Sequence, residues 1–381
     1  MVSPARRVAF KVLQATEDGG YASDLLLKEA ATLDSRDAGL ASEIVFGCLR
    51  RQGQLDWLIA SVARRDADRM DIAVRIALRM GLYQLRHLDR VPAHASLNES
   101  VELVKMAKKT SAAGLVNAVL RRAPRGRIEW PDRSVALSMP QWLLARWDEQ
   151  FGAGSSEKIA EAFLSAPETY VRNPAEDSGV VLEPTDVPGA FRVVSGDPTG
   201  LRIQDIGSQS VVPFLDLRPG QTLLDLCSAP GNKTAQALES GIRGIACDVN
   251  HRRLQTVSGC SRVVLDATVG LPFHSRFDRV LVDAPCSGTG TLGRNPEIRW
   301  KLRPRDVEEL HEKQVRILRN ALEALADDGR LVYSTCSLEK LENEEVIERI
   351  TAETGHRILE TRYRVPGRDP GDGFFAAVVS R

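Results

Sequence analysis

The chain has 381 residues, 43% of them hydrophobic, with 51 Lys and Arg balanced by 51 Asp and Glu. That length suits two or three domains with a buried core, and no run of about 18 uncharged apolar residues supports a membrane-spanning helix. The opening Met1-Val2-Ser3-Pro4-Ala5-Arg6-Arg7 lacks the apolar stretch of a signal peptide, so the chain is read as soluble, cytoplasmic and monomeric.

The zero net charge hides an asymmetry. Residues 1–127 carry 21 Lys and Arg against 14 Asp and Glu, leaving 30 against 37 in the remainder. A basic front half favours a polyanionic partner, although a solvated helix surface accounts for it equally well. The cysteines Cys48, Cys227, Cys247, Cys260, Cys286 and Cys336 are scattered, with no CxxC pair, and are read as reduced thiols. Cys247, His251 and Cys260 fit no common zinc spacing, so buried structural cysteine is the better reading and no metal is expected.

From Arg6 to about Arg122 the pattern is helical, with Ile72, Ile76, Met80 and Tyr83 at i, i+4, i+8 and i+11 on one face. The run Arg121-Arg122-Ala123-Pro124-Arg125-Gly126-Arg127 breaks it and reads as a linker. A further helix is expected from Val135 to about Phe151, carrying Trp142 and Trp147, followed by a Pro- and Gly-rich stretch to about Gly200. After Leu201 short β runs alternate with helical segments: Thr222 to Leu226, Arg243 to Asp248, Arg262 to Asp266, Arg279 to Asp283 and Arg330 to Thr335, with Phe374 to Ser380 as a last strand. Such alternation predicts a parallel, doubly wound sheet whose strand ends gather at one ligand-binding edge. The expected organisation is a helical domain over 1–125, a linker and small intermediate domain over 126–200, and an α/β domain over 201–381.

The motifs fall at those strand ends. Asp225-Leu226-Cys227-Ser228-Ala229-Pro230-Gly231-Asn232-Lys233-Thr234 joins a strand to a helix, where small residues let backbone amides approach a ligand, and it lacks the glycine spacing of a Walker A loop. Asp248 closes the second strand, placed to accept both hydrogen bonds of a ribose diol. Asp266 and Asp283 close the third and fourth. One such acid is commonplace as a helix cap, but three in register behind a glycine-containing loop point to a nucleoside cofactor. Asp283-Ala284-Pro285-Cys286-Ser287-Gly288-Thr289-Gly290 and Ser334-Thr335-Cys336-Ser337 each set a cysteine just beyond a strand. Those strands are expected to be neighbours, so two thiols 50 residues apart in sequence would face one pocket. Either cysteine alone would more often be inert packing.

These residues resemble the RNA cytosine-5 methyltransferases of the NOL1/NOP2/Sun family. The Asp225–Thr234 loop is similar to that family's S-adenosylmethionine loop, with Asn232 at a usual glycine position. The Cys286 and Cys336 blocks and Gly371-Asp372-Gly373-Phe374-Phe375 match its other motifs. The front segments Arg6-Arg7-Val8-Ala9-Phe10-Lys11-Val12-Leu13 and Val45-Phe46-Gly47-Cys48-Leu49-Arg50 resemble the NusB-like RNA-binding bundle carried by the bacterial RsmB/Sun-type subgroup.

The resemblance implies an all-α bundle followed by a Rossmann-like class I methyltransferase with a mainly parallel sheet. It implies 16S ribosomal RNA as substrate and S-adenosylmethionine as cofactor, bound by Cys227, Ser228, Ala229, Pro230, Gly231, Asn232, Lys233, Asp248, Asp266 and Asp283. It also assigns Cys336 as the covalent nucleophile and Cys286 to product release. A stacked base must leave its helix to be reached, which favours single-stranded or loop RNA. Arg294, Arg299, Lys301, Arg303 and Arg305 around Trp300 suit phosphate contact and stacking, with a solvated loop as the plainer alternative. A small-molecule methyltransferase would share the cofactor loop without needing two cysteines. An RNA-binding protein with a decayed catalytic half would not need Cys286, Cys336 and Lys233 intact.

Overall fold

A computed structural model describes residues 2–175 and 178–380, which divide into two compact units. One unit is helical and comprises Met1–Asp148, Ala160–Ala166 and Leu292–Lys301. Its central helix, Ile72–His87, starts where the Asp71 side chain accepts from Ala73 N at 3.0 Å. From Ala73 to Gln84 it is buried except at Arg75, so it has no solvent face to speak of. The single apolar stripe expected from sequence therefore understates its burial, and Ile72, placed on that stripe, is 38% exposed. Helices Pro4–Glu17, Ser35–Arg50, Gln52–Ala63, Ala93–Met106 and Ala113–Arg122 pack round it. Gly47 is required at one crossing, because a Cβ there would lie 1.9 Å from the Tyr83 ring.

The buried charge of Arg79 is paired. Arg79 grips Asp56 with two bonds of 2.7 Å and Glu17 with one of 2.6 Å, a fork geometry that satisfies a guanidinium 3% exposed. The linker ends the helix Ala113–Arg122, and just beyond it Ile128 and Trp130 pack back on the helical core, Trp130 edge-on to Trp57 at 5.6 Å. The single helix expected from Val135 to Phe151 is two, Arg133–Ala136 and Gln141–Phe151. Between them Ser138 takes a positive φ of 48° and Pro140 follows, which together break the helical path.

The segment Leu292–Lys301 corrects the expectation for its basic residues. Arg299 is fully buried, and its guanidinium donates to the carbonyls of Arg50, Ser138, Phe163 and Leu292 at 2.9 to 3.4 Å. Trp300 Nε1 donates to Leu49 O at 3.3 Å and Lys301 Nζ to Gly20 O at 2.8 Å. Arg299 thus ties loops together and offers nothing to a phosphate. Arg303 and Arg305, which lie in the other unit, remain exposed.

The second unit comprises Glu149–Ile159, Pro167–Thr291 and Leu302–Arg381. It contains a small antiparallel sheet of β1 (Tyr170–Arg172), β2 (Val181–Pro184) and β3 (Ala190–Ser195), in the order β1-β3-β2. The larger sheet contains β4 (Thr222–Leu226), β5 (Arg243–Asp248), β6 (Ser261–Val264), β7 (Phe277–Asp283), β8 (Leu325–Thr335), β9 (Arg357–Arg364) and β10 (Phe374–Ser380). Their order is β6-β5-β4-β7-β8-β10-β9, parallel from β6 to β8, with β10 and β9 antiparallel. This is the expected Rossmann-like, mainly parallel sheet. Its central strands are near-continuous apolar runs because helices cover both faces. The stretch 126–200 contributes to both units: 126–148 and 160–166 to the helical one, 149–159 and 167–200 to the sheet. Among the described residues no helix is long and apolar enough to cross a membrane.

Candidate active site

The order of the sheet decides where the site lies. Parallel strands β5, β4, β7 and β8 bring their C-terminal ends to one edge, and the loops leaving them line a cavity of about 390 Å³. Cys227, Ala229, Asp248, Asp266, Asp283, Cys286 and Cys336 line it, all of them singled out in the sequence. Ser228, Pro230, Gly231, Asn232 and Lys233 stand behind that lining as the loop's framework.

The loop after β4 turns sharply. Cys227 takes a left-handed φ of 64°, and Ser228 N and Oγ bond Cys247 O at 2.8 and 3.0 Å, stitching the loop to β5. Gly231 is required twice over, by its φ of 105° and by Val257, whose Cγ2 would lie 2.9 Å from a Cβ. Asn232 does not need the positive φ it would tolerate, because it is the first residue of the helix Asn232–Leu238. Asp248 accepts from Ala229 N at 3.1 Å and from Asn250 N at 2.7 Å, which fixes its carboxylate at the cavity wall. Beside it Val249 is 64% exposed and lines the same wall. The short stretch before Asp266 holds only a four-residue helix, His251–Leu254, and β6 ends at Val264, so Asp266 stands on the loop beyond it. Hydrogen bonds from Thr268 hold the Asp266 carboxyl below the usual range. Two carboxylates that accept hydrogen bonds and an aliphatic wall in one cavity fit the hydroxyls and ring of a nucleoside.

Behind the loop lies Asp225, 1% exposed, which sequence reading quoted but gave no role. One oxygen accepts from Thr234 Oγ1 at 2.5 Å and the other has no partner. Burial pushes its carboxyl up to about 7. Lys233, 7% exposed, donates to Asp283 Oδ2 at 2.8 Å and lies over the Phe374 ring at 4.9 Å. Ser334 Oγ donates to the other Asp283 oxygen at 2.9 Å, so the carboxylate at the end of β7 is held from both sides.

The two cysteines meet as neighbouring strands predict. β7 and β8 pair in parallel, Asp283 opposite Ser334, and beyond their ends Cys286 Sγ lies 3.4 Å from Cys336 Sγ. The hydrogen bond with Cys336 and burial push the Cys286 thiol well above its ordinary range, which keeps it protonated. Both loops converge on a residue the sequence did not flag. Glu342 is fully buried, and its carboxylate accepts from Ser287 N at 2.8 Å, from Ser287 Oγ, from Ser337 Oγ at 2.5 Å and from Gln314 Nε2 at 3.0 Å. Gly290 and Gly373 are packed backbone to backbone, a Cβ on Gly290 meeting Gly373 O at 2.3 Å, which seats the Cys286 loop against the start of β10.

Comparison with known proteins adds to this geometry. Residues 212–380 match the family model described as 16S rRNA methyltransferase RsmB/F, and residues 3–125 match the NusB family. Ribosomal RNA small subunit methyltransferase B of Yersinia pestis bv. Antiqua (strain Angola) is 31% identical across 98% of both chains, and that of Yersinia pseudotuberculosis serotype O:1b (strain IP 31758) is equally similar. Among solved structures, that of PH0851 covers 100% of this chain and 99% of its own with a TM-score of 0.83 at 20% identity. NSun6 from Pyrococcus horikoshii, solved with SFG, covers 63% of this chain and 98% of its own, with a TM-score of 0.56 at 16% identity. At those identities the two structures speak for the fold.

Proposed function

The chain belongs to the RsmB/F family of 16S rRNA methyltransferases, and from that premise we propose that it methylates C5 of a cytosine in 16S rRNA, with Cys336 as covalent nucleophile and Cys286 in product release. The observation that carries the reading is the pair of thiols 3.4 Å apart on the wall of a cavity suited to a nucleoside cofactor.

Carbon 5 of cytosine is a poor nucleophile. Addition of the Cys336 thiolate to carbon 6 makes carbon 5 enamine-like, which splits a hard step into easier ones. S-adenosylmethionine, when bound, supplies the methyl group as an electrophile, and Asp248, Asp266 and the 227–233 loop are the residues that hold it. Asp283, fixed by Lys233 and Ser334, offers a preorganised carboxylate that accepts from the exocyclic amine of the base and so orients the ring.

Release needs the carbon 5 proton to leave while the bond from carbon 6 to sulfur breaks. The electrons of the C5–H bond form the C5–C6 double bond, and those of the C6–S bond return to Cys336. Cys286 is placed to pass its hydrogen to that departing sulfur and, as thiolate, to take the carbon 5 proton, so both cysteines finish as thiols. The helical unit, matched by the NusB family over 3–125 and basic over residues 1–127, is the RNA-holding part of the proposal.

The test is to offer labelled S-adenosylmethionine with unmodified 16S rRNA, 30S particles, transfer RNA and free cytidine. Label recovered as 5-methylcytosine in rRNA or 30S particles is the expected result. Label only in cytidine would indicate a small-molecule enzyme, and label at another base or position would overturn the assignment of the cysteines.

A further inference from the structure

We propose that Glu342 is the positioning residue that sets the register between the two cysteine loops, holding Cys286 and Cys336 at bonding distance from each other. Its carboxylate binds the residue that immediately follows each cysteine: Ser287 through both N and Oγ, and Ser337 through Oγ. Ser287 Oγ and Ser337 Oγ also lie 3.1 Å apart, so the segments 286–287 and 336–337 are stapled side by side over one carboxylate. Gln314 fastens the arrangement from the helix Pro304–Glu323, donating to Glu342 and to Pro285 O at 2.9 Å.

Thr289 Oγ1, 3.2 Å from Ser337 Oγ, and Gly290 N, donating to Cys336 O at 2.9 Å, also bridge the two loops, but Glu342 binds the residue next to each cysteine. The strands hold Asp283 and Ser334 in register, but each cysteine lies beyond the last paired residue of its strand. Past that point the Sγ separation depends on the loops, and the carboxylate ties them together. Glu342 receives its four bonds from neutral donors, with no Lys or Arg among them, so its charge bears on its surroundings. It is among the groups that keep Cys286 protonated, behind the Cys336 hydrogen bond and burial. Geometry and charge therefore serve one end, a resting Cys286 thiol held 3.4 Å from Cys336.

The inference rests on the roles proposed above for the cysteines, and its test separates the two. In Glu342→Gln, which keeps size and shape, kcat should fall about 100-fold, the cost of a displacement of about 1 Å at a reacting group. KM for S-adenosylmethionine and for RNA should stay within about 2-fold. The pH midpoint for alkylation of Cys286 by iodoacetamide, followed by peptide mass spectrometry without RNA, should move down, because a charge that favours the protonated thiol is removed. In folded Glu342→Gln, confirmed by a melting curve, an unchanged midpoint or an unchanged kcat would overturn the proposal. If Glu342→Gln does not fold, Ser287→Ala decides: a loss of kcat of about 5- to 10-fold at constant KM supports the role, and full kcat overturns it. If Cys336→Ala and Cys286→Ala both turn over normally, the proposed function fails, while the alkylation midpoint still reports on Glu342.

Discussion

Arg299 in the helical unit and Glu342 in the sheet unit are both fully buried and both bonded to neutral partners, Arg299 to four carbonyls with its Nε left without one, and Glu342 to hydroxyl and amide donors. Their consequences differ because of what those partners belong to. The carbonyls around Arg299 come from helix ends and loops that do not line the cavity, whereas the donors around Glu342 flank two thiols on its wall. A buried charge solvated by the protein is costly to remove in either place, but only at Glu342 does it act on atoms that react.

The comparison is most sharply tested at Arg299. Arg299→Ala leaves four carbonyls without a donor and should destabilise the protein by about 3–5 kcal/mol. Denaturant melts measure this directly, and the protein that remains folded should bind RNA with its normal KM. A normal melt with a raised KM would return Arg299 to the RNA-binding role its sequence suggests. In Glu342→Gln the folded protein should instead lose turnover, the 100-fold loss of kcat raising the barrier by about 2.7 kcal/mol.

A pH-dependent effect comes from Asp225, a buried carboxyl that differs from Glu342 in having one oxygen unpartnered. Burial holds its folded pKa at about 7, above the unfolded value of about 4. Between those values the folded state binds more protons than the unfolded one, so stability contributed by this group is full below about pH 4 and falls as pH rises to about 7. The difference in melting temperature between wild type and Asp225→Asn should therefore change across pH 4–7, with the wild type losing ground as pH rises, and level off above it. A difference that is flat across that window would place the protonated group elsewhere.

How much of this could be read from the sequence follows from which forces write themselves locally. Strands β4, β5 and β10 were legible to the residue because each is an apolar run with a clear stop, and Asp248 and Asp283 mark strand ends that the pairing confirms. β6 was set two residues too late at its end, because Leu265 continues the apolar run while pairing stops at Val264. β9 was missed: Arg357–Arg364 carries Arg and Glu across most of its length, as an exposed edge strand does, and shows no alternation strong enough to notice.

The two cysteines were legible as a pair because adjacent parallel strands deliver their ends to one place. Arg299 and Glu342 were not. In sequence Arg299 is one basic residue of several around a tryptophan, and Glu342 opens the acidic run Glu342-Asn343-Glu344-Glu345, which reads as the solvated start of a helix. Burial of each depends on residues more than 25 positions away, such as Gln314 and Ser287 for Glu342, or Arg50 and Ser138 for Arg299. No local pattern carries that information.

The division of labour between the thiols can be measured in one experiment. Wild type, Cys286→Ala and Cys336→Ala are each incubated with substrate RNA and S-adenosylmethionine, then run on a denaturing gel that retains covalent enzyme–RNA complexes. The account predicts that Cys286→Ala accumulates the complex and that Cys336→Ala forms none. Normal turnover by Cys286→Ala together with a complex formed by Cys336→Ala would contradict it.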